Sequence, residues 1–123
     1  SVTVTPATLD RRRILAKNRA KQSVAAAEFE IKHIGIQQKK AKDVEKAATE
    51  MYAKAKKELA KAQASKKGNK TALVNALSKT VSKSMSAVNT MSKHQAKLTE
   101  AKQNAMLKLN LAKQHLNAQK RSG

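Results

Sequence analysis

Stepping by seven residues from Ala20 reaches Ala27, Ile34, Ala41, Ala48, Ala55 and Ala62, an unbroken apolar row. A row at this spacing follows one face of an α-helix wound into a coiled coil. A companion row begins at Val24 and Ile31, meets Gln38, and resumes one residue earlier in phase at Val44 and Met51. The later half of the chain repeats the pattern. One row there is Leu77, Ser84, Met91, Leu98, Ala105 and Ala112; the other is Val74, Val81, Val88, Gln95, Lys102, Leu109 and Leu116. The spacing predicts two long helices, each with one seam and a few polar interruptions.

Punctuation along the chain agrees with this division. The strongest break is Ser65-Lys66-Lys67-Gly68-Asn69-Lys70-Thr71. Gly68 suits a left-handed helix C-cap, and Asn69 or Thr71 suits the following N-cap. At the other end, Thr5 suits an N-cap and Pro6 the first helical position. Between these signals the residues are mainly Ala, Lys, Gln, Glu, Leu and Met, all strong helix formers. The expected organisation is an extended arm at 1–5, a helix over 6–65, a turn at 66–70, a helix over 71–120 and a tail at 121–123. Each helix would run on the order of 75–90 Å at 1.5 Å per residue. Gly35 leaves a bend, or a break into three helices, open; the Ala row runs through it in phase. A short turn favours antiparallel neighbours, so the expected fold is all-α, a coiled-coil-like helical hairpin.

Alanine supplies 22 of the hydrophobic residues, which make up 40% of the 123-residue chain. Large apolar groups are therefore few, and the seam formed by Ala27, Ile34, Ala41, Ala48, Ala55 and Ala62 implies close helix approach rather than bulky packing. Its counterpart is Val74, Leu77, Val81, Val88, Met91 and Leu98. A hairpin of this kind buries little on one side. Leu107, Leu109 and Leu111 add apolar surface on more than one face, as in helices buried within an assembly. A homo-oligomer, or docking on other proteins, is expected.

Charge changes the picture further. Lys and Arg number 27 against 8 Asp and Glu, a net charge of +19, and no acidic residue lies between Leu59 and Thr99. At about 100° per residue, Lys79, Lys83, Lys93 and Lys97 fall opposite the second seam. Lys32, Lys39, Lys40, Lys46, Lys54 and Lys61, with Arg19, lie mostly opposite the first. A solvated face normally mixes signs to limit self-repulsion, and the pairs Glu28–Lys32 and Glu50–Lys54 do so only locally. The excess points to a polyanion. Candidate contacts are Arg11, Arg12, Arg13, Lys39, Lys40, Lys66, Lys67, Lys79, Lys83, Lys93 and Lys97. The chain has one Phe (Phe29), one Tyr (Tyr52) and no Trp, so it offers no stacking platform for single strands. Contacts of this kind engage phosphates and do not read bases.

Enzymatic chemistry is not expected. His33, His94 and His115 are isolated, and without Cys there is no thiolate metal site or disulfide framework. No carboxylate pair stands out as an acid/base dyad, and Gly68 alone makes no phosphate-cradling loop. No metal or cofactor is expected, and no apolar run approaches the roughly 20 residues that span a bilayer. Asn75 to Ser92 is polar but nearly uncharged, as suits an exposed helix, a polar helix–helix interface or the wall of a wet channel.

The pattern resembles the internal virion proteins of short-tailed bacteriophages, also called core or ejection proteins. The resemblance lies in the Ala-, Gln- and Asn-rich first helix from Ala16-Lys17-Asn18-Arg19-Ala20 to Ala64. It continues in the turn Gly68-Asn69-Lys70-Thr71-Ala72-Leu73-Val74 and the long return helix, covering about residues 15–118. It implies a protein made in the host cytoplasm and packaged in the capsid near the portal. Such a protein stacks with other core and portal proteins around the DNA exit path. On infection it leaves to help form a conduit through the host envelope. The chain is short for such a protein and has no apolar segment of the membrane-inserting kind. Two other readings stand beside this one: a nucleoid-associated, non-sequence-specific DNA-binding protein of the cytoplasm, and a peripheral membrane protein using basic amphipathic helices. The second of these fits less well, because Ala is a poor membrane anchor.

Overall fold

A computed structural model describes residues 5–66 and 68–122. The chain forms two helices, α1 (Pro6–Ala64) and α2 (Thr71–Ser122), and no strand occurs among the described residues. They pack against each other as an all-α antiparallel hairpin. Residues 1–4 of the arm expected at 1–5, and Lys67, lie outside the described residues. Of the expected tail at 121–123, Arg121 and Ser122 continue α2, and Gly123 lies outside the described residues. Basic side chains there sit favourably at the negative end of the helix dipole.

The helix ends follow from local chemistry. The Thr5 hydroxyl accepts a hydrogen bond from the Thr8 amide at 3.2 Å, and the Thr5 carbonyl accepts one from Leu9 at 3.0 Å. Thr5 is thus the N-cap and Pro6 takes the first helical position, where a missing N–H costs nothing. α1 runs through Gly35 without interruption. It ends at Ala64, one residue earlier than expected. Gly68 is left-handed at φ +66° but lies within the turn, beyond the position directly after the helix end. The N-cap of α2 is Lys70, whose carbonyl accepts from Val74 at 2.8 Å. Asn69 acts one position earlier: its side-chain oxygen accepts from the Thr71 amide at 3.1 Å, an Asx-turn that starts the helix.

The chain divides into two compact units. The terminal unit comprises residues 1–36 and 100–123, and the turn unit residues 37–99. In the terminal unit Ala20, Ala27 and Ile34 of α1 and Ala105 of α2 are buried, Ala105 completely. Val24, Ile31, Lys102, Leu109, Ala112 and Leu116 flank them half-buried. In the turn unit the buried side chains are Ala41, Ala55, Ala62, Leu98 and Ser84. Ala48, Val74, Leu77, Val81, Val88 and Met91 are half-buried. With methyl groups at all but one position of the row from Ala20 to Ala62, little apolar area of α1 leaves water. At roughly 25 cal/mol per Å², such burial stabilises modestly per turn.

The companion row of α1 requires a correction. It does not step back in phase to Val44 and Met51, which are 52% and 66% exposed. Gln38, Glu45, Tyr52 and Leu59 are half-buried in their place and keep the seven-residue spacing from Val24 and Ile31. The Ala row fixes which face meets α2, and its flank then falls where geometry puts it. Gln38 and Glu45 tolerate that flank because a long polar side chain lays its stem along the seam and keeps its head in water.

Candidate polyanion-binding surface

Basic side chains are distributed by helical spacing alone. In the turn unit, Lys79, Lys83, Lys93 and Lys97 are all exposed on α2. Their spacing places them within about 40° of one line along the helix, opposite the seam. Ser86 and Thr90 complete the stripe, both exposed. No acidic residue stands on this part of α2. Lys39 and Lys40 are exposed on α1 in the same unit, and Lys66 is exposed just past its end. Arg11, Arg12 and Arg13 are exposed near the start of α1 and belong to the terminal unit. The candidate cations therefore fall into two groups, one in each unit.

Lys70 is a basic residue whose role the sequence did not single out. It is half-buried, and its Nζ donates to the Gln63 carbonyl at 3.0 Å and to the Ser65 carbonyl. These are carbonyls at the C-terminal end of α1, where a cation satisfies orphan acceptors and complements the dipole. Lys70 thus serves the turn, unlike its neighbour Lys66. Nothing in the sequence distinguishes the two beyond their distance from the helix end.

Opposite charges are sparsely paired. Among the described residues, the one ion pair within 4 Å joins the helices of the terminal unit, Lys108 to Glu30 at 3.8 Å. The pairs Glu28–Lys32 and Glu50–Lys54, expected along α1, are not closed. Both partners of the observed pair are well exposed, so its contribution is a few tenths of a kcal/mol. Lys79, Lys83, Lys93 and Lys97 are in no ion pair within 4 Å among the described residues, and the nearest carboxylate along α2 is Glu100, beyond the end of the stripe.

The aromatic residues offer no platform. Phe29 stacks on His33 with ring centroids 6.2 Å apart, and the Lys56 ammonium lies 5.2 Å from the Tyr52 ring centre. Each contact is between residues one helical turn apart on α1. Among the described residues, no group of three or more His, Cys, Asp or Glu is placed to hold a metal ion, and no helix is long and apolar enough to cross a membrane. The arrangement can attract phosphate groups along a helix and has no feature that reads a base.

Compared with protein-family models, with curated proteins and with solved structures, the chain matches none of them.

Proposed function

We propose that the chain is a structural, non-enzymatic component of the internal core of a bacteriophage virion, assembled as a helical oligomer with basic faces toward packaged DNA and taking part in genome delivery. The observation that carries this reading is a division of surface between the two units. Among the described residues, eight of the twelve exposed large apolar side chains belong to the terminal unit: Leu9, Ile14, Leu15, Phe29, Ile36, Met106, Leu107 and Leu111. Several of them repeat outward, at Leu15, Phe29 and Ile36 on α1 and at Leu107 and Leu111 on α2. Side chains of this kind favour burial against other copies or other core and portal proteins. The turn unit presents the acid-free lysine stripe, which suits a polyanion. A hairpin with one associating region and one DNA-facing region fits a packed core beside the genome.

The second reading, a free DNA-compacting protein, is favoured by the stripe alone, since phosphate contacts need no assembly. Molar mass by light scattering separates the two, at about 0.1 and 0.5 M salt and with or without short duplex DNA. A discrete oligomer that persists at high salt is expected for a core protein, because apolar contacts are not screened. A monomer that binds DNA only at low salt would replace the virion reading with the DNA-compacting one.

A further inference from the structure

The corrected phase of α1 leaves Val44 and Met51 without a place in the seam, and the structure gives them another setting. They stand on one side of the turn unit, above the crevice between its helices. Beneath Met51 lies a recess of about 300 Å³ lined by Ala48, Thr80, Lys83, Ser84 and Ala87. A second recess continues past Lys54, Ala55 and Glu58, and a third, beneath Val44, is lined by Gln37, Lys40, Ala41, Met91 and His94. Ser84 is only 9% exposed and lines two of the three. From Gln37 to Glu58 the groove follows α1 for about 30 Å at 1.5 Å per residue.

The groove has the spacing of a helix contact. Ala41, Val44, Ala48, Met51 and Ala55 recur at i, i+3, i+7, i+10 and i+14. This alternates projecting side chains with methyl-lined hollows, as knobs-into-holes packing requires. Its rims are basic: Lys40 and Lys54 border it on α1 and Lys83 on α2, against a single carboxylate at Glu58. A second copy of this chain fits poorly, because it would bring its own lysines onto these rims, and like charges brought together are strongly disfavoured. A helix with acidic flanks fits both features.

We infer that this groove receives an acidic amphipathic helix of a different protein, with small and medium apolar side chains along its seam and carboxylates on both flanks. The inference goes beyond the virion reading and does not depend on it. Lys40 and Lys83 serve the groove rim as well as the polyanion surface, so a seated helix and DNA compete for them.

Fluorescence anisotropy with the full chain tests this. The probe is a synthetic peptide of about 21 residues, with Ala and Leu on the seam and Glu on the flanks; its control is a scrambled peptide of equal composition. The ordered peptide is expected to bind in the micromolar range and at least about tenfold more tightly than the control. Met51→Glu and Val44→Glu, both at exposed positions, are each expected to remove that advantage, and Leu111→Glu in the terminal unit to leave it intact. Equal binding of the two peptides would reduce the groove to a charged surface and overturn the proposal. So would binding that survives both groove substitutions. An oligomer of the unmodified chain that Met51→Glu dissolves would assign the groove to a second copy instead. No DNA enters the titration, so its result stands apart from the outcome of the scattering experiment.

Discussion

The two units use one heptad pattern and expose different surfaces. In the terminal unit the outward positions carry Leu15, Phe29 and Ile36 on α1 and Leu107 and Leu111 on α2. In the turn unit the equivalent positions of α2 carry Lys79, Lys83, Lys93 and Lys97. The side of the crevice also differs: the terminal unit is bridged by Lys108 and Glu30, whereas the turn unit has the groove under Val44 and Met51. A seam of alanines therefore specifies a hairpin and says little about its use. The outward positions, which the hairpin does not need, are where the two regions separate.

The sharpest way to break this comparison is to move charge in one unit only. Reversing Lys79, Lys83, Lys93 and Lys97 to Glu is expected to weaken duplex DNA binding by roughly a hundredfold or more, and to reduce the slope of log K against log salt by about three to four. Changing Arg11, Arg12 and Arg13 to Gln is expected to shift that slope by less than about one. Equal effects from the two sets, measured by titration at several salt concentrations, would show that the turn unit holds no special place in polyanion binding.

Packing offers the next contrast. Ala105 is completely buried, so Ala105→Leu is expected to overpack the seam and destabilise the hairpin by about 1–3 kcal/mol. Ala48 is half-buried beside a recess, and Ala48→Leu is expected to change stability by less than about 0.5 kcal/mol. Urea unfolding followed by circular dichroism measures both. A loss at Ala48 as large as that at Ala105 would mean that the recess is not open to a side chain.

The smallest effects come from two glycines with opposite signs. Gly35 is helical and a methyl group there would meet nothing within 4 Å. Gly35→Ala is expected to stabilise by about 0.5–1 kcal/mol. Gly68 also has open space around it, but its φ of +66° lies in the left-handed region that favours glycine over residues with a side chain. Gly68→Ala is expected to cost about 1 kcal/mol. Thermal unfolding midpoints should move in opposite directions, and a shared direction would contradict the backbone assignment of one of them.

Much of the hairpin was legible in the sequence, for identifiable reasons. The Ala row from Ala20 to Ala62 declares its period because no large residue competes with it. Thr5-Pro6 marks a helix start through chemistry confined to a few neighbouring residues. The phase of the companion row was not legible. Val44 and Met51 look like seam residues by hydrophobicity, while Glu45 and Tyr52 occupy the flank because the Ala row has already fixed the face. The role of Lys70 was hidden too, since its partners are carbonyls and carbonyls leave no trace in composition. The lysine stripe needed only helical spacing to be found. The groove needed the correct phase first.

The alanine row carries one further consequence. Ala41, Ala48, Ala55 and Ala62 repeat the same methyl group every two turns. Considered by itself, that row would look unchanged to α2 after a slide of seven residues, so it holds the helices together without recording where they should stop. Positional information must come from features that do not repeat. The turn supplies them, with Gly68 in its left-handed conformation and Lys70 clasping the Gln63 and Ser65 carbonyls. Lengthening or loosening this turn would remove the zero mark from a ruler whose divisions are otherwise identical.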